Sequence, residues 1–222
     1  MPGSSGAATP GGPGLIRPQR LLHGAARDAQ RREVPSGLGL DSTAVRRRMV
    51  ERLQRIEGIR DEAVLAALGA VERHRFVDSA LAIQAYEDTS LPIGLEQTIS
   101  KPSVVARMLE LLRQAPGARE RGHLGRALEI GTGCGYQTAL LAQLASSVVS
   151  IERLRGLYDR ARDNLAPLAL RSVRLVYGDG MLGHGPNAPY DSIVAAAGGD
   201  DLPEAWLAQL AVGGRLVAPM RR

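Results

Sequence analysis

Residues 127–136, ALEIGTGCGY, constrain the fold of this chain more than any other stretch. A short apolar strand ends in a carboxylate, Glu129, and breaks at once into three alternate glycines, Gly131, Gly133 and Gly135. A glycine-rich turn between a strand and a helix lets a ligand touch bare backbone beside the positive helix N-terminus. Many nucleotide-like ligands use that device, and a plain tight turn between strand and helix has the same composition.

The spacing discriminates between ligands. A dinucleotide fingerprint needs its third glycine three positions after the second, where helix and strand pack closely. Here that position holds Tyr136, and the third glycine comes early, at Gly135. The Glu129 carboxylate would also repel a pyrophosphate placed in the same cavity. A cation suits the loop better. S-adenosyl-L-methionine carries an ammonium and a sulfonium and no phosphate, so the E-x-G-x-G-x-G pattern favours it over a dinucleotide.

Around this loop the pattern alternates regularly. Strands are expected near 126–130, 147–152, 173–177, 191–196 and 215–219, with helices near 136–146, 155–166 and 203–210. Such alternation requires right-handed crossovers and a parallel sheet covered on both faces, with ligands at the carboxyl ends of the strands. Two further acids fall at those ends. Glu152 closes the strand VVSIE, 21 residues after Gly131, where a carboxylate can accept from two ribose hydroxyls. Asp179, between Gly178 and Gly180, can accept from an adenine exocyclic amine. Each has a duller alternative: Glu152 as a surface or capping residue, and Asp179 with Gly180 as a common turn pair.

Upstream, Val45, Met49, Leu53 and Ile56 lie at helical spacing, with Arg46, Arg47, Arg48 and Arg52 on a solvated face and Gly58 closing the helix. A second helix is expected over 61–71. Residues 89–100 contain Pro92 and Gly94 and no helical period, so they read as an irregular loop. Ser100 is placed to cap the helix that follows, with Pro102 in its first turn and Pro116 and Gly117 at its end.

The 222 residues suffice for one α/β domain, 41–222, behind a Gly/Pro/Arg-rich tail over 1–40 expected to be disordered. Within the domain, 41–125 is the helical N-terminal part and 126–222 the cofactor-binding part. Of the net charge of +5, the tail's five arginines, Asp28 and Glu33 account for +3. The remaining body is near neutral, which argues against a nucleic-acid partner. No apolar run approaches a bilayer span and no apolar signal core opens the chain, so no membrane partner is expected. The lone Cys134 excludes an internal disulfide and fits a reducing, cytoplasmic location. The four histidines have no metal-ligand spacing.

Residues 86–102, YEDTSLPIGLEQTISKP, together with RHRFV at 73–77, EIGTGCGYQTA at 129–139, YGDG at 177–180 and GGRLVAP at 213–219 resemble the protein-L-isoaspartate O-methyltransferases. The similarity runs from about Met49 to Pro219, and segment 86–102 is its most specific part. It implies a Rossmann-like class I S-adenosylmethionine-dependent methyltransferase sheet with helices on both faces. It also implies methyl transfer to the free α-carboxylate of isoaspartyl residues in damaged proteins and peptides, with repair through a succinimide. By resemblance Gln97, Thr98, Ile99 and Ser100 close over the cofactor, with Ser100 the active-site residue and segment 86–102 the substrate and cofactor loop. Glu129, Gly131, Gly133 and Gly135 would hold the methionine end, Glu152 the ribose, and Asp179 with Gly180 the adenine. No metal is implied, and a monomer is expected.

Cys134 departs from a more usual serine, and Gly198 and Gly199 stand where prolines are common. The sequence closes at Met220, Arg221 and Arg222, just after the fifth expected strand, where family members continue and complete the sheet. On this reading the fifth strand is an exposed edge. Two rival readings accompany the resemblance: a methyltransferase for another substrate, and a chain that binds cofactor without turnover.

Overall fold

The strands expected near 126–130, 147–152 and 191–196 are mainly apolar, as strands buried on both faces require, and those near 173–177 and 215–219 flank them with half-buried and exposed residues. In the computed structural model they pair in the order β5-β4-β3-β6-β7, all parallel. They span β3 (Arg126–Ile130), β4 (Ser147–Glu152), β5 (Val173–Tyr177), β6 (Tyr190–Ala195) and β7 (Leu210–Val217). The structure describes residues 43–196, 198–199 and 201–220, all within the unit Val34–Arg222. The expected tail, residues 1–40, lies outside the described residues.

Alternate residues of each strand serve opposite faces. Ala127, Val148 and Val194 join one core, and Leu128, Ile130, Val149, Ile151 and Ile193 join the other. The first core is the larger because the N-terminal helices cover it. These are α1 (Thr43–Arg55), α2 (Glu62–Ala70), α3 (Pro102–Arg113) and the short α4 (Pro116–Arg121), contributing Met49, Leu53, Leu68, Leu109 and Leu112. Truncating any of these fully buried leucines to alanine would cost about 2–5 kcal/mol. The crossover helices are α5 (Tyr136–Leu144), α6 (Arg155–Leu165) and α7 (Glu204–Ala208). The second core is closed by Trp206 of α7.

Five local expectations need correction. Residues 89–100 are not an irregular loop. They hold an antiparallel hairpin, β1 (Leu91–Gly94) and β2 (Gln97–Ile99), with Leu95 and Glu96 at φ 50° and 58°. Two left-handed residues between paired strands match the twist of a hairpin, and Leu91, Ile93 and Ile99 bury one face. Second, Ser100 does not cap α3. Lys101 occupies the cap position without a side-chain bond, and Asp88 instead accepts from Ser103 N at 2.8 Å and Ser103 Oγ at 2.7 Å.

Third, Ile56 is largely exposed, because the helix ends at Arg55 before its face is completed. Fourth, Arg46 and Arg52 leave the solvated face. Arg46 pairs with Glu72 at 3.5 Å, and Arg52 Nη2 donates to Tyr86 O at 2.9 Å. Lastly, β7 begins at Leu210 rather than near 215, and α7 is correspondingly shorter. The strand runs through Gly213 and Gly214, and the β6–β7 register shifts between Tyr190 and Ser192. At Gly214 a side chain would meet the Ala211 and Asp191 carbonyl oxygens at 2.9–3.0 Å.

Candidate functional site

The carboxyl ends of β3, β4 and β6 open into a cavity of about 280 Å³, close to the small end of the range for ligand sites. One wall is the glycine loop between β3 and α5. Gly131, Gly133 and Gly135 all have positive φ, at 88°, 57° and 91°, so each permits a turn that a side chain would strain. Close packing adds a second constraint at two of them. A Cβ on Gly135 would lie 3.0 Å from Leu165, and one on Gly133 would lie 3.3 Å from Ile93 of the hairpin.

Acceptors on β4 and a donor on α6 hold this loop. Gly131 N and Thr132 N donate to Ile151 O at 2.9 and 3.1 Å, and Asn164 Nδ2 donates to Cys134 O at 2.9 Å. Glu152 accepts from Gly133 N through one carboxylate oxygen and from Leu154 N through the other, both at 2.9 Å. It therefore braces the loop and the start of α6 together. Each oxygen keeps a further lone pair and the residue lines the cavity, so bracing does not exhaust it as an acceptor.

Glu129 sits deeper. It is fully buried, and its Oε2 accepts from Thr138 Oγ1 and Ser150 Oγ, the latter also 2.6 Å from Thr132 Oγ1. Burial pushes its carboxyl up to about 7, against which the Ser150 and Thr138 bonds act. The other oxygen, Oε1, has no hydrogen-bond partner. Glu129 lies outside the cavity lining, beneath the loop whose turn it supports.

Across the cavity, Asp179 is exposed, and its Oδ1 accepts from Met181 N at 3.0 Å, capping a turn of 3-10 helix over Gly180–Leu182. The turn reading of Asp179 thus holds locally, with Oδ2 left toward solvent. Gly180 is packed so tightly that a Cβ would lie 2.6 Å from Ile130 Cγ2, and its carbonyl accepts from Trp206 Nε1 at 2.8 Å. Ile130, Ile151, Leu157 and Trp206 give the cavity an apolar floor, with Glu152, Asp179 and Asp201 around it and Arg153 the one cation in the lining among the described residues. That donor set suits a flat, polar-edged group carrying positive charge. Among the described residues it offers no clustered cations for a phosphate.

The hairpin supplies the remaining wall. Gln97 and Thr98 line the cavity together with Ile93, whereas Ile99 is buried behind it and Ser100 sits half-buried at the junction with α3. Arg160 of α6 ties the hairpin down, its Nη1 donating to Ile93 O at 2.7 Å. Of the expected site residues, Gln97, Thr98, Gly131, Gly133, Glu152, Asp179 and Gly180 share one cavity. Ile99, Ser100, Glu129 and Gly135 do not line it. Sequence reasoning missed Arg160, Thr132, Ser150, Asn164 and Trp206, all of which act through the fold. Only Trp206, the single tryptophan of the chain, carried a visible signal.

Residues 44–222 match the model of the protein-L-isoaspartate(D-aspartate) O-methyltransferase family. The chain belongs to this family. It is a methyltransferase by descent, and its relatives share nearly its whole length. It is 66% identical over 220 residues to a protein-L-isoaspartate O-methyltransferase of Methylibium petroleiphilum, covering 98% of this chain and 78% of the relative. A Leptothrix cholodnii enzyme of the same name is 65% identical over 204 residues, covering 92% of this chain and 71% of the relative.

Among solved structures, a protein-L-isoaspartate O-methyltransferase at 31% identity superposes with a TM-score of 0.69. That match covers 79% of this chain and 55% of the other, so the chain spans little more than half of that molecule. A Plasmodium falciparum structure in complex with S-adenosyl-L-homocysteine, described as the same kind of enzyme, shares the fold at 23% identity and a TM-score of 0.67. It covers 80% of this chain and 84% of its own. The parallel five-stranded sheet is thus the Rossmann-like sheet of class I methyltransferases.

Proposed function

We propose that this chain methylates the free α-carboxylate of L-isoaspartyl residues in proteins and peptides, with S-adenosyl-L-methionine as the methyl donor. The observation that carries the reading is that Gln97 and Thr98, from the segment most particular to the family, line the same cavity as Gly131, Gly133, Glu152 and Asp179. Bound there, the donor supplies a methyl group activated on a sulfonium. The apolar floor and acidic rim fit such a cation.

The chain's own residues then have a limited task. A carboxylate acceptor, with a pKa near 4, is already ionised at neutral pH, so no general base is needed. Rate comes from holding the acceptor oxygen in line with the transferred methyl. Glu152 accepts from the ribose, Asp179 and Gly180 meet the adenine edge, and Gly131 and Gly133 let the methionine end approach bare backbone. Gly135 contributes the turn and Ile99 the buried anchor of the hairpin. Glu129 acts on the methionine end from beneath, through the loop it holds. Ser100 orients the acceptor carboxylate, and the methyl ester formed cyclises to a succinimide as the backbone nitrogen displaces methanol, after which hydrolysis returns some normal aspartate.

The same proposal includes action as a monomer on protein and peptide substrates in the cytoplasm, supported by the buried, unpaired thiol of Cys134. Among the described residues, no helix is long and apolar enough to cross a membrane. The deciding experiment offers labelled cofactor with two peptides that differ only in Asp against isoAsp. Label on the isoaspartyl peptide alone is expected. Equal labelling overturns the acceptor assignment, and calorimetric cofactor binding without any transfer overturns the activity.

A further inference from the structure

The buried cation nearest the site is not used by any step above. Arg73 begins a turn of 3-10 helix, Arg73–Phe76, and its side chain is 0% exposed. Among the described residues no salt bridge is made to it, and Asp88 acts on it only weakly, from a distance. Burying a guanidinium without a countercharge is expensive unless its donors are placed, and two of them are placed on backbone. Nε donates to Ala85 O at 2.8 Å and Nη2 to Ser100 O at 2.7 Å. The guanidinium carbon Cζ lies over the ring of Tyr136, 4.8 Å from its centroid, and Tyr136 opens α5 directly after Gly135. Phe76 holds that ring from its edge, with centroids 5.6 Å apart.

One side chain therefore touches the hairpin–α3 junction and the end of the glycine loop at once. We propose that Arg73 is the positioning residue that sets Ser100 against the glycine loop, keeping the acceptor side and the cofactor side of the reaction in one relative geometry. The inference rests on the reading of Ser100 as the group that orients the acceptor. Arginine is required because a planar fork reaches two carbonyls and stacks on a ring, whereas an ammonium does not keep all three contacts.

The test combines Arg73→Lys, Ser100→Ala and the double variant, measured for methyl transfer to an isoaspartyl peptide and for cofactor affinity by calorimetry. Losing one charge-assisted bond at this junction is expected to lower kcat/KM for the peptide by about 10- to 100-fold, with lower kcat and higher peptide KM. Cofactor Kd should stay within about threefold of the parent. In the Ser100→Ala background the lysine substitution should add little, because the backbone bond to residue 100 then has no hydroxyl left to position.

Multiplicative losses in the double variant, or a cofactor Kd that rises in step with lost turnover, overturn the positioning role. Full turnover in Arg73→Lys beside an impaired Ser100→Ala overturns it while leaving the serine reading intact. Full turnover in Ser100→Ala removes the serine reading and the inference with it. If Arg73→Lys does not fold, Tyr136→Leu carries the test, since it removes the ring but neither carbonyl bond. It should show the same split at smaller size, and unchanged peptide kinetics there count against the proposal.

Discussion

The two walls of the cavity are held by opposite chemistry. On the sheet side, buried carboxylates accept: Glu152 from the Gly133 and Leu154 amides, and Glu129 from the Ser150 and Thr138 hydroxyls. On the hairpin side, guanidiniums donate: Arg160 to Ile93 O and Arg73 to Ser100 O. The sheet wall grows out of a parallel ladder that stands without its acids, which brace only the loop above it, whereas a two-stranded hairpin is marginal on its own. The hairpin owes its place to a few cross-links and three buried side chains. A preformed cofactor wall faced by a less stable cover follows from this difference.

The comparison breaks most severely at Gly135. Gly135→Val adds strain at φ 91° and overlap with Leu165. About 2–4 kcal/mol of stability should be lost, with a fall in thermal midpoint on the order of 5–10 °C and no measurable cofactor binding. Next is Glu152→Ala, which removes both the brace and the acceptor facing the cavity. Cofactor affinity measured by calorimetry should fall about 10- to 100-fold.

Glu129 separates its wall from the other by pH. Its folded carboxyl titrates at about 7, against 4.5 for the unfolded chain. The folded state therefore holds the proton more tightly over that interval. Stability from this group is fully present below pH 4.5 and is lost as pH rises toward and through 7. The slope is at most about 1.4 kcal/mol per pH unit. Glu129→Gln should flatten this part of the stability profile in denaturant titrations between pH 5 and 8, and an unchanged slope would remove Glu129 as its source. The smallest effect belongs to the hairpin: Arg160→Ala should cost about 1 kcal/mol or less globally. Amide exchange over residues 91–99 should nonetheless accelerate while β3 and β4 stay protected.

The same division governs what the sequence made legible. Strands β3, β4 and β5 fall at the residues expected of them, because β3 and β4 are buried, mainly apolar runs with glycine or charge at their ends and β5 is a short apolar run broken only by Arg174. The glycine loop and the acids at Glu152 and Asp179 were readable for a similar reason, being fixed by local backbone geometry. The hairpin was not. Pro92 and Gly94 suggested a loop, and the alternation of Leu91, Ile93 and Ile99 that marks a strand pair is interrupted by a turn with two non-glycine residues in left-handed conformation. The cap of α3 was equally hidden, because Asp88 supplies it from fifteen residues before Ser103. Bonds from Arg73 and Arg160 span 27 and 67 residues, and nothing in local composition announces a partner that far away.

Trp206 gives this chain a built-in optical readout. It is the single tryptophan of the sequence, it lines the cavity, and its indole N–H is committed to the carbonyl of Gly180, where the adenine edge is proposed to rest. Emission excited near the red edge of indole absorption comes from this one position, without labels or competing fluorophores. Quenching or a spectral shift on adding nucleoside would report occupancy directly, and the same signal followed in a stopped-flow instrument would time how fast the cavity fills.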